Sequence, residues 1–157
     1  AALYRFRTEV VVMNNKNFLR SLLAAGVLGM SGLVLAHGDV PPQAVDTKGL
    51  PSLGEEWAEE NPYRAPSEHH DLAVQIGSSA YNQNCARCHG LEAISGGIAP
   101  DLRDLEASYD GDEWFKERVI NGAVLDGAVY MPRMADTLSQ EALWAIRTYI
   151  ESEAAKR

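Results

Sequence analysis

The sequence predicts an all-α domain, on three observations. Apolar residues recur at helical spacing in three separate stretches. No stretch alternates apolar and polar residues between turn signals, so no sheet is expected. The three helices are also short for a chain of 157 residues. They would form a thin core, so something other than side chains should fill its middle.

The first helix begins near Ser67. Leu72, Ile76 and Ala80 make one line at a spacing of four, and Ala73, Gly77 and Tyr81 make the adjacent line. A glycine inside a helix costs about 1 kcal/mol relative to alanine. Gly77 is therefore expected where another helix comes close. A loop rich in Gly and Pro follows, from Gly90 to about Tyr109. The second helix is expected from about Asp112 to Asn121, with Phe115 and Val119 on one face. Asp112 and Glu113 suit its positive N-terminal end, and Gly122 is a stop signal. The third helix runs from Ser139, a good N-cap, to about Ala154. Leu143, Ile146 and Ile150 share one face, flanked by Trp144 and Tyr149.

Ahead of the helices, residues 37–66 hold five prolines and few periodic apolar positions. This stretch reads as an irregular extension draped over the core, with Trp57 and Tyr63 as anchors. Further upstream, Lys16 and Arg20 precede an apolar run from Ser21 to Leu35, and small residues end at Ala36. That is the pattern of a secretory signal peptide. Its apolar run of 15 residues is shorter than the roughly 20 that span a bilayer. Cleavage after Ala36 is expected, with no membrane span left after processing. Residues 1–12 precede the first Met and read as lying upstream of the true start. The expected organisation is thus residues 1–36 as upstream residues and leader, 37–66 as extension, and 67–157 as the domain.

Charge and cysteine content exclude several classes. The net charge is −8, whereas nucleic-acid binding needs a basic face. Removing residues 1–36, with four basic residues against Glu9, takes away +3 and leaves −11. Such a charge either steers the chain toward a partner with a basic docking face or merely keeps an exported protein soluble. Two cysteines cannot build a disulfide-rich scaffold or a four-cysteine metal site.

Those two cysteines stand in Cys85-Ala86-Arg87-Cys88-His89. C-x-x-C-H is the attachment pattern for one covalent haem c. Two thiols add across the two vinyl groups, the two-residue gap places them on one turn, and the adjacent imidazole reaches the iron. A thioredoxin-like reading needs a βαβ context that is missing. A zinc site needs more ligands. A disulfide across two residues is strained.

With Ala99-Pro100-Asp101-Leu102 and Met131-Pro132 ahead of the last helix, residues 67–157 resemble a small bacterial class I cytochrome c. The resemblance implies a helical wrap around one haem, its first and last helices crossing where a Gly and an aromatic meet. Gly77 and Tyr149 stand in those places. It also implies that the Pro100 carbonyl accepts the Nδ1 proton of His89, and that a Met before Pro is the sixth ligand. Met131 fits that place better than Met134, and both could instead be core filler. Of the other histidines, His69 and His70 are expected to be solvated, and His37 would head the processed chain.

A narrower resemblance rests on Tyr81–Gly97, Gly127–Pro132, Leu138–Ile146 and His37–Val40. These segments are similar to the periplasmic c-550 type that serves PQQ-dependent alcohol dehydrogenases. The resemblance implies a periplasmic one-electron carrier rather than an enzyme. Its donor would be such a dehydrogenase, and its acceptor a terminal oxidase or downstream carrier. Alternatives are a general respiratory carrier with another donor, or a haem enzyme or sensor with an exchangeable distal ligand.

Overall fold

A computed structural model describes residues 42–157; the leader, His37 and the start of the extension lie outside the described residues. The element order is α1 (His70–Asn84), α2 (Ala86–His89), α3 (Tyr109–Asn121), β1 (Ala123–Leu125), β2 (Ala128–Met131) and α4 (Gln140–Ala154). Short 3₁₀ turns lie at Leu91–Ala93, Leu102–Asp104 and Met134–Asp136.

Helices α1 and α4 cross at the centre of the core. Gly77 makes the crossing possible, because a Cβ there would lie 1.9 Å from the Ala145 carbonyl oxygen. One turn further on, the rings of Tyr81 and Tyr149 pack with centroids 5.3 Å apart. Ser139 caps α4 as expected, its side chain accepting from the Ala142 amide.

Helix α1 starts three residues later than the apolar spacing implied, and α3 starts three residues earlier. Ser108 is the cap of α3, accepting from the Gly111 amide. Asp112 still falls in the first turn, together with Asp110. It suits the positive end of the helix as expected, and it is also a fully buried carboxylate.

The expected absence of a sheet is corrected by a two-stranded antiparallel hairpin. Ala123 pairs with Met131, Val124 with Val129 and Leu125 with Ala128, with an irregularity after Ala123. Asp126 and Gly127 turn the chain at φ 49° and 78°, the two left-handed residues of a tight hairpin. The strands are apolar on both faces, so no alternation marks them.

The extension does drape over the core, and it covers the face of α4 that would otherwise be wet. Tyr63 is buried, and the Trp57 ring meets Trp144 edge-on at 6.4 Å. Gln140 Nε2 donates to the Gly54 and Glu56 carbonyls, while the Leu53 amide donates to Glu141. As a result α4 is buried nearly all round, including Arg147 and Thr148. A charge network closes this layer. Asp112 accepts from the Asn61 amide at 2.8 Å, from Arg64 at 2.6 Å and from Arg147 Nε at 2.9 Å. Glu151 accepts from Arg64 at 2.9 and 3.1 Å and lies 3.3 Å from Arg147 Nε.

Candidate haem c site

The C-x-x-C-H motif leaves α1 through a single turn. The Cys85 amide closes α1 on the Tyr81 carbonyl, and α2 carries Cys88 and His89. Both thiols are free, Cys85 half-buried and Cys88 exposed. Burial, and then the neighbouring Cys88, push the Cys85 thiol up to about 12. It is a neutral thiol at ordinary pH, and no disulfide consumes either sulfur.

Two bonds hold the turn from its C-terminal side. The Tyr81 hydroxyl donates to the Gly90 carbonyl at 2.8 Å. Burial raises the Tyr81 pKa, so the hydroxyl keeps its proton. His89 Nδ1 lies 3.0 Å from the Pro100 carbonyl oxygen. A carbonyl only accepts, so Nδ1 carries the proton and Nε2 keeps the lone pair that a metal takes. The expected pairing of His89 with Pro100 is therefore present.

The two methionines differ in placement. Met134 is buried in the core, 5% exposed. Met131 ends β2 and is only partly buried. Exposed apolar side chains neighbour both the C-x-x-C-H motif and Met131 in sequence. Leu91 and Ile98 follow the motif at 71% and 78% exposure, and Val129 and Tyr130 lead into Met131 at 69% and 66%. Large exposed apolar area calls for a covering partner, and a porphyrin is flat, apolar and of that scale. Free paired thiols, an imidazole with its Nε2 lone pair available and an apolar surround all fit haem c.

Among the described residues, His69 and His70 are not freely solvated as expected but half-buried and engaged elsewhere. His69 Nε2 lies 3.3 Å from Glu68, and His70 Nδ1 donates to the Tyr63 carbonyl. Among the described residues, no three His, Cys, Asp or Glu side chains gather as a metal site. The sequence reading missed the loop scaffold behind Pro100, built by Ser95, Asp101, Arg103 and Arg157. Asp-Leu-Arg beside Pro100 was a visible signal for part of it. The contribution of Arg157, 56 positions away, was not visible.

Comparison with known proteins agrees with the site. Residues 72–150 match the family described as cytochrome c oxidase, cbb3-type, subunit III. Cytochrome c550 of Pseudomonas aeruginosa is 73% identical over 140 residues, covering 89% of this chain and 97% of that protein. Quinohemoprotein alcohol dehydrogenase ADH-IIG of Pseudomonas putida is 34% identical over 92 residues, which is 58% of this chain but 12% of the dehydrogenase. The cbb3-type oxidase subunit FixPc of Rhizobium leguminosarum is 30% identical over 86 residues, 51% of this chain and 30% of the subunit. No solved structure matches the chain. The chain belongs to the cytochrome c family: it is a homologue of cytochrome c550, an electron carrier rather than an enzyme, in a family whose members hold haem c covalently.

Proposed function

We propose that the chain is an exported, periplasmic carrier that takes single electrons from a PQQ-dependent alcohol dehydrogenase and passes them toward a terminal oxidase. The observation that carries the donor is the 34% identity to a segment of a quinohemoprotein alcohol dehydrogenase. A dehydrogenase with such a segment built in would pass electrons through a domain of this kind. A free-standing relative would do so by encounter.

Cys85 and Cys88 would hold the haem covalently, and His89 and Met131 would ligate its iron. Haem c supplies a one-electron couple, and His/Met ligation raises its potential. The Pro100 carbonyl fixes the His89 tautomer, and the two thioether anchors prevent loss of the group outside the cell. Among the described residues, no helix is long and apolar enough to cross a membrane. Export rests on the leader pattern in residues 13–36.

Redox encounters bury little surface, so charge acts mainly on the association rate. With −11 on residues 37–157, docking on a basic face should slow as salt rises. Exposed charges are screened beyond about 8–10 Å at 0.1–0.15 M. Stopped-flow mixing of the oxidised cytochrome with substrate-reduced dehydrogenase measures this. Fast reduction that falls with salt is expected. No reduction at any salt removes the donor, and fast salt-independent reduction removes the steering. A second reading, a carrier delivering to a cbb3-type oxidase from other donors, draws on the FixPc similarity. It predicts equal growth defects on ethanol and succinate when the gene is deleted, whereas the first predicts a defect on ethanol alone.

A further inference from the structure

We infer that Asp101, together with Ser95, is a positioning residue that sets the reduction potential by clamping the loop that presents the Pro100 carbonyl to His89. The inference rests on His89 as an iron ligand.

The loop from Ser95 to Arg103 has no regular structure before Leu102, so its shape depends on side-chain bonds. Ser95 Oγ donates to the Ala99 carbonyl at 2.6 Å and accepts from the Gly97 amide at 3.0 Å. The Ser95 amide donates across the loop to Asp101 Oδ2 at 3.3 Å. Asp101 Oδ1 accepts from the Arg103 amide and from Arg103 Nε, each at 3.0 Å, and Arg103 NH2 donates to Oδ2 at 2.7 Å. Arg157 then ties the end of the chain to the same carboxylate at 3.0 Å and to Asp104 at 2.7 Å. Pro100 lies between Ala99, which Ser95 holds, and Asp101 itself. Its carbonyl is therefore fixed on both sides, and His89 Nδ1 lies 3.0 Å from it.

The carboxylate is held as an anion throughout the working range, because the Arg103 guanidinium keeps it well below the usual carboxylate pKa. Its five donors come from three places: Ser95, Arg103 and Arg157. A simple N-cap would need only the Arg103 amide. The additional bonds fix the loop as a unit.

The chemical consequence follows from the imidazole. A hydrogen bond from Nδ1 to a well-placed acceptor makes the ring a more basic ligand. A more basic ligand favours the oxidised metal and lowers the potential. Loosening the carbonyl weakens that bond, so the potential should rise.

The test uses holoprotein carrying Asp101→Ala, Ser95→Ala, Asp101→Asn or Val119→Ala. The last removes buried volume on α3 and none of the loop's hydrogen bonds. Redox titration is the first readout, and the exchange rate of the His89 Nδ1 proton in the reduced protein, followed by NMR, is the second. For Asp101→Ala the oxidised-to-reduced ratio at fixed poise should fall at least about threefold, and the Nδ1 proton should exchange faster. Ser95→Ala should move both in the same direction and keeps the inference testable if the Asp101 variant fails to mature. Asp101→Asn should recover part of the shift, since its one amide oxygen can still accept from either the Arg103 amide or the Ser95 amide, but not from both. An unchanged midpoint in both clamp variants, or an equal shift in Val119→Ala, overturns the inference. So does an Asn variant that recovers nothing. Absence of axial-histidine signals from the unsubstituted protein would instead overturn the ligand assignment beneath it.

Discussion

Asp112→Ala is expected to destabilise the domain by about 3–5 kcal/mol, the range for breaking a buried ion pair by removing one partner. Asp112 is fully buried and accepts from the Asn61 amide, Arg64 and Arg147. Arg147 is also fully buried and donates to the Leu105 and Glu106 carbonyls. Without Asp112, Arg147 keeps, among the described residues, only Glu151 as a charged partner, which it shares with Arg64. The extension would lose its tie to α3 as well. Chemical denaturation of the holoprotein measures the loss, and a change below about 1 kcal/mol would show that the network is not holding the extension. Converting both Asp112 and Arg147 to apolar residues of similar volume should cost much less, because no unpaired charge remains.

Met131→Ala is expected to abolish the weak far-red band of oxidised Met-ligated haem and to lower the reduction potential, while Met134→Ala preserves both. Spacing to the last helix favours Met131, and burial now adds a physical argument. Met134 is enclosed in the core at 5% exposure, where a flexible thioether acts as filler. Met134→Ala should therefore cost stability, about 2–5 kcal/mol for a core Met, with the spectrum intact. Met131 ends a hairpin strand, partly exposed, with Pro132 preventing further pairing. Absorption spectroscopy and redox titration of both variants separate the roles. Loss of the band in Met134→Ala alone would transfer the ligand assignment.

How much of this was legible in the sequence depended on whether the signal was local. Ser139 and the Leu143–Ile146–Ile150 spacing placed α4 correctly, because cap and face lie within one element. Cys85, Cys88 and His89 declared their chemistry within five residues. The start of α3 was set three residues late because Ser108 was not weighed as its cap, and Asp112 reads as a helix-end acid whether or not it is also a buried ion-pair partner. Only the fold decides, by bringing Arg147 from 35 positions away. The hairpin was missed because strands apolar on both faces show no alternation, although Asp126-Gly127 between two apolar runs was a usable turn signal. The Asp101 clamp was hidden for the same reason as Asp112, since its partner Arg157 is distant in sequence.

The central claim, a haem held by two thioether bonds to one turn of the chain, has a direct test. The holoprotein is denatured, extracted with acid and organic solvent, digested, and analysed by haem staining and mass spectrometry. The haem is expected to stay with the chain and map to the peptide that contains both Cys85 and Cys88, and Cys85→Ala combined with Cys88→Ala to leave no stained band. Haem released into the organic phase, or a stained band retained by the double variant, would contradict it.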